Sequence, residues 1–187
     1  MQESAKSFSS GWRRWWKSIA IGTAALILNM LMYALLPTSL VSHLGRLGYV
    51  SAFVVATIAN ASVILPIPYY PLIIRLSQTF NVWGVILAAA AGSVIGELVS
   101  FFIGRTSHAV IRETQFSNWI ERQIRVPCRV GPLLFGLAAI PNPAFDIAGL
   151  LAGALDVSVR MFVTSVFLGR IVRMGLVALV GLTLQSI

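Results

Sequence analysis

Acid is what this sequence has least of. Its 187 residues hold six Asp and Glu against fourteen Lys and Arg, and charged residues of every kind make up only 11%. A soluble domain carries about 25%, so a water-facing surface of ordinary composition is excluded. Cysteine is nearly missing as well. Cys128 stands alone, which rules out an intrachain disulfide and any metal site built on paired cysteines. The two histidines, His43 and His108, lie in connections. There is no HExxH and no Gly-x-Ser-x-Gly, and no histidine falls in an apolar run, so neither an enzyme nor a bound metal or cofactor is expected.

What is abundant is apolar. Hydrophobic residues make up 57% of the chain and the mean hydropathy is +0.84. Together with several long uncharged runs this predicts an all-α integral membrane protein of one domain. The net charge of +8 is then read by its placement, because Lys and Arg concentrate on the cytoplasmic side of membrane proteins. Nucleic acid is disfavoured as a partner on the same ground.

Residues 1–17 form a basic segment with Trp12, Trp15 and Trp16 interleaved, an interfacial anchor on the cytoplasmic face. The membrane domain is 18–187. A first transmembrane span is expected over 19–36, too long for a usual signal-peptide core. Residues 50–80 are apolar but interrupted at Pro66 and Pro68, and 82–104 is a full-length span carrying Glu97. Residues 106–126 bear mixed charge, with Phe116, Ile120 and Ile124 at four-residue steps. That is the stripe of an amphipathic helix lying on the membrane surface. Residues 130–155 are again apolar, interrupted at Pro141, Asn142 and Pro143, with Asp146 as the one charge; 157–187 is the last span.

Proline removes a backbone donor and clashes with the preceding turn, and it disfavours helix in the residue before it. Both interrupted segments therefore read as half-helices meeting at a broken tip. In hydrocarbon such a tip survives only when buried in protein or lining a wet cavity. If both segments dip in and return, the basic N-terminus, the 106–126 helix and the start of the last span all fall on the cytoplasmic side. The segments also resemble each other. Pro66-Ile-Pro68 and Pro141-Asn-Pro143 are 75 residues apart, Tyr70 matches Phe145, and Asn81 matches Asp156. Ile95-Gly96-Glu97 matches Leu168-Gly169-Arg170 two residues out of step. The two re-entrant hairpins should thus be inverted relative to each other, as in secondary transporters.

Glu97, Asp146 and Arg170 are the candidate midplane site, with Asn142 beside them. An intramembrane charge costs on the order of 2.5–3.5 kcal/mol, so these groups should pair, neutralise or face water. Arg170 has no neutral form and needs a carboxylate, a phosphate or a wet cavity. Such a site suits an anionic head group; a static ion pair locking the helices is the alternative. Arg122, Arg125, Arg129 and Arg173 are candidate contacts for lipid head groups, and Arg75 stands behind the central site. The glycine pairs Gly92/Gly96 and Gly149/Gly153 suit close helix packing.

The run IleProAsnProAlaPheAspIleAlaGlyLeuLeuAlaGly at 140–153, with PheLeuGlyArg at 167–170 and Gly-Glu at 96–97, resembles the DedA/VTT family, also called SNARE-associated Golgi proteins, and within it the vacuole-membrane-protein type. The resemblance covers about residues 50–180. It implies two re-entrant hairpins in inverted orientation and lipid movement: phospholipid scrambling, or flipping of lipid-phosphate carriers, in some members linked to protons. By motif position Asp146 and Glu97 would be the acidic pair. The first hairpin departs from the pattern, having ProIleProTyrTyrPro where many members carry an acid after the proline, which leaves proton coupling there without support. The chain lacks the long soluble extensions of eukaryotic relatives, which points to a prokaryotic plasma membrane. Membrane lipids are the expected partners, with homo-oligomerisation open. A small-solute or ion transporter or channel, or a membrane scaffold, are the competing functions.

Overall fold

The computed structural model describes residues 23, 27–35, 47–62, 68–107, 115–124, 126–140 and 145–185. Among them every regular element is a helix. We label these α1 (27–35), α2 (Leu47–Ala61), α3 (Tyr70–Thr79), α4 (Val82–Ser107), α5 (Gln115–Ile124), α6 (Pro127–Ala139), α7 (Phe145–Ala154) and α8 (Val159–Gln185). The expectations for residues 1–17, Pro66, Arg125, Pro141, Asn142 and Pro143 fall outside the described residues.

Helices α4 and α8, of 26 and 27 residues, are long and apolar enough to cross a membrane. At 1.5 Å per residue each is about 40 Å long, against a hydrocarbon core of about 30 Å. Four consecutive alanines, Ala88 to Ala91, favour helix in the middle of α4. Its start is set by Asn81, whose Oδ1 accepts the Gly84 N–H at 3.2 Å. Pro71 sits in the first turn of α3 and Pro127 in that of α6, where proline's missing N–H costs nothing. At the α7–α8 turn Asp156 takes φ 54°, a left-handed conformation that Asp tolerates better than most residues.

Helices α4 and α8 cross antiparallel. At one end the Phe101 and Phe162 rings lie 4.6 Å apart; near the middle Glu97 meets Arg170; at the other end Val85 and Ile86 share a core with Met174 and Ala178. The shorter helices pack on this crossing in a reciprocal pattern. Helix α2 lies on α4 and α6 on α8, while α3 crosses over to α8 and α7 to α4.

Glycine makes these contacts close. A Cβ at Gly96 would strike the Thr57 carbonyl of α2, and one at its sequence match, Gly169, would strike the Phe135 carbonyl of α6. Gly104 and Gly153 admit the α4 and α7 backbones to each other in the same way. The two hydrophobic cores divide likewise. One gathers Leu134, Phe145, Leu151 and Phe162 around the second helix pair; the other gathers Ala52, Ala56, Ile73 and Leu76 around the first.

The first short helix pair also ends level with its own beginning. Gly48, at the start of α2, lies against the ring of Phe80, just past α3, and Tyr49 lies against Gly84.

One expectation changes. Of the stretch expected as an amphipathic helix over 106–126, the described residues are the end of α4, through Ser107, and α5, Gln115–Ile124. In α5, Ile120 and Ile124 are buried in the core with Leu134 and Leu151 of α6 and α7. The apolar stripe therefore faces protein, because α6 and α7 offer it a drier partner than the interface.

Candidate functional site

The polar residues of the interior collect where the two helix pairs approach the α4–α8 crossing. Glu97 lies one residue beyond Gly96, and Arg170 one beyond Gly169, so each charge stands next to the point where a neighbouring backbone comes closest. Arg170 Nη2 pairs with Glu97 Oε1, and the two side chains are 3% and 1% exposed. The sequence repeat matches these two residues to each other. The pair thus joins equivalent positions of the two halves.

Around it are groups from α2, α3 and α7, and from α4 itself. Phe145, the first residue of α7, lies with its ring 5.1 Å from the Arg170 guanidinium. Tyr70, the first residue of α3, lies 5.5 Å from the Arg173 guanidinium. Cation–π attraction operates at such separations, and more strongly when the groups are dry. The rings of Tyr69 and Tyr70 are 4.5 Å apart, and both residues are within electrostatic reach of Arg170. On α4, Ser93 Oγ accepts from Asn60 Nδ2 of α2 at 3.2 Å, and Ser100 Oγ donates to the Glu97 carbonyl at 2.8 Å.

Asp146 occupies the first turn of α7, where the helix N-terminus favours negative charge. It is partly exposed, and the charge that reaches it is that of Arg173. The structure therefore brings Glu97 and Arg170 together as an ion pair and leaves Asp146 within electrostatic reach of Arg173, one helical turn further along α8.

The other candidates separate. Arg173 is 7% exposed and belongs to the interior cluster, whereas Arg122 and Arg129 are on the surface. Arg129 Nη1 donates to Gln123 Oε1 at 3.2 Å. Arg75 is turned away from the centre: its guanidinium lies 3.9 Å from the Tyr33 ring and donates to the Tyr33 carbonyl at 3.2 Å, tying α3 to α1. Pro68 is partly exposed just ahead of α3. Among the described residues no group of three or more His, Cys, Asp or Glu could hold a metal ion.

Sequence reasoning passed over Tyr69, Tyr70 and Phe145 as site residues. The signal was present in the repeat, which puts an aromatic at the same place after each proline break. Spacing alone marks the two aromatics as equivalent; the fold shows that each covers a guanidinium.

With this geometry in place, comparison with known proteins is informative. The model of the family described as VTT domain matches residues 67–183, from the end of the first break to near the end of α8. The chain is also similar to a vacuole membrane protein 1 homolog of Dictyostelium discoideum. It is 31% identical to that protein over 44% of its own length and 26% of the relative's. The match thus spans about a quarter of that curated relative. No solved structure matches the chain.

Proposed function

This chain belongs to the VTT-domain family of membrane proteins, and from that premise we propose that it moves lipids between leaflets, as a phospholipid scramblase or as a flippase for lipid-phosphate carriers. The observation that carries the reading is the Glu97–Arg170 pair, buried at the α4–α8 crossing with Arg173 and Asp146 alongside. Two guanidiniums in so dry a place are costly to a structure that only needs to pack, since well-packed apolar residues would serve stability as well or better. They are useful where an anionic head group must leave water.

The helix pairs α2–α3 and α6–α7 then act as re-entrant hairpins, dipping into the bilayer from opposite faces with their breaks near the charged centre. The level return of the first pair and the antiparallel crossing of α4 and α8 support this, as does the exchange of α3 and α7 between halves. Inverted units around a central site are how transporters alternate access between two sides. In this reading the N-terminus and the surface Arg122 and Arg129 face the cytoplasm, where they meet anionic lipid. We assign the protein to a prokaryotic plasma membrane and keep Asn142 as a candidate head-group contact.

Purified protein in liposomes carrying a fluorescent phospholipid tests this. Wild type should expose inner-leaflet label to an impermeant quencher, and Asp146→Asn with Glu97→Gln should remove most of that activity. Unchanged activity in the double variant refutes the site. A wild type that moves no lipid refutes transport and leaves the pair as a lock in a scaffold.

A further inference from the structure

Tyr33 of α1 is fastened at three places. Its ring lies 3.9 Å from the Arg75 guanidinium of α3. Its carbonyl accepts from Arg75 Nη2 at 3.2 Å, and its hydroxyl accepts from Gln78 Nε2 at 3.2 Å. Gln78 Nε2 also donates to the Gly181 carbonyl of α8 at 2.8 Å, and Gln78 Oε1 accepts from Arg75 Nη1 at 3.4 Å. The amide of one α3 side chain thus binds α1 and α8 at once. The sequence explains the carbonyl contact. A helical carbonyl accepts from the residue four further on, and for Tyr33 that residue is Pro37, which has no N–H. A main-chain carbonyl deprived of its donor needs another, and Arg75 supplies it.

The second half has something else in place of this knot. At the repeat offset of 75, Arg75 and Gln78 match Leu150 and Gly153. Where α7 crosses α4 these two residues make direct backbone contact: a Cβ at Gly153 would strike the Phe101 carbonyl, and one at Gly104 would strike that of Leu150. Arg105 and Asp156 add an ion pair at the same end. Where α3 crosses α8, a Cβ at Gly181 would stay 3.0 Å from its nearest neighbour, a methyl of the Ile74 side chain, which can yield. One seam is therefore closed by backbone fitted to backbone, the other by side-chain hydrogen bonds that run through Tyr33. Proteins open locally where few close contacts hold an element down, so the two seams should not open alike.

We propose that α1 is a strap: by holding Arg75 and Gln78, Tyr33 keeps α3 closed on α8, and the first helix pair is the half that opens when the strap lets go. The second pair stays seated on α4 and serves as the frame. The opening itself does not depend on what the protein carries; that lipid passes through the opened seam rests on the transport reading above.

Ser77 and Ala152, matched across the repeat, report on the two seams. They are 2% and 0% exposed. Ser77 shares the face of α3 that bears Ile74 and Gln78, and Ala152 the face of α7 that bears Gly149 and Gly153. Full-length protein with Cys128→Ser and either Ser77→Cys or Ala152→Cys is purified in detergent, and the rate of labelling by an impermeant maleimide is followed. Ser77→Cys alone should label slowly. Adding Tyr33→Phe, which removes one hydrogen bond, should speed labelling about fivefold, and Tyr33→Leu, which removes the ring contact as well, should speed it further. Neither should change the rate at Ala152→Cys. A rate at Ser77→Cys that ignores both Tyr33 variants overturns the strap. Equal acceleration at Ala152→Cys also overturns it, since that marks general loosening. Scrambling is measured in liposomes on the Tyr33 variants with position 77 left as serine, and it should rise with the labelling rate. Faster labelling with unchanged scrambling keeps the strap and overturns the passage of lipid through this seam, whereas a wild type that moves no lipid refutes transport and leaves the labelling result standing.

Discussion

Two ion pairs in this molecule share their chemistry and differ in their surroundings. Glu97 and Arg170 meet in the interior with side chains 1% and 3% exposed; Arg105 Nε and Asp156 Oδ1 meet 3.2 Å apart at the α4–α7 end with side chains 37% and 71% exposed. The first lies between equivalent residues of the two halves, and the second pins the left-handed Asp156 turn to the end of α4. The contrast teaches that a pair's placement decides what its loss does. A buried charge stripped of its partner is stranded, whereas an exposed one is taken up by water.

The largest effect should follow from stranding Arg170. Glu97→Ala should cost about 3–5 kcal/mol of stability, the range for breaking a buried pair on one side, read as a fall in melting temperature in detergent. Replacing both partners, Glu97→Met with Arg170→Met, should restore most of that stability while lipid movement stays lost. A double variant as unstable as Glu97→Ala would mean that the pair is held for strength alone. Next in size is Gly96→Leu, which forces a side chain against the Thr57 carbonyl. Overpacking of this kind costs about 1–3 kcal/mol, and Gly169→Leu should match it if the halves are equivalent. Arg105→Ala should be the smallest, at about 0–1 kcal/mol as for partly exposed pairs, and should shrink further in high salt. If Arg105→Ala rivalled Glu97→Ala, burial would not be what separates the two sites.

The parts legible in the sequence were those where the physics leaves few choices. Charges inside apolar runs are costly, so Glu97, Asp146, Arg170 and Arg173 stand out in the sequence alone. The match of Gly96-Glu97 with Gly169-Arg170 placed two charges at equivalent positions, and the fold joins them. What periodicity could not say is what covers a face. Ile120 and Ile124 marked an apolar stripe correctly, but the same spacing serves a helix on lipid and a helix on protein. Arg75 looked like a site residue by its depth, and only the return of Tyr33, 42 residues earlier, reveals its partner. Tyr69 was hidden for another reason: it lies in a proline-rich break, where residues are read for backbone geometry rather than for chemistry.

The claim beneath all of this is that each short helix pair returns to the membrane face it left, the two pairs using opposite faces. The chain's single cysteine makes that directly measurable. Cys128, which is exposed, and Asp156→Cys flank the second pair; Leu47→Cys and Thr79→Cys flank the first, with Cys128→Ser as background for all three new cysteines. Labelled with an impermeant maleimide in sealed vesicles of known orientation, Cys128 and Asp156→Cys should react from one face, and Leu47→Cys and Thr79→Cys from the other. Reaction of the two ends of either pair from opposite faces would contradict the account.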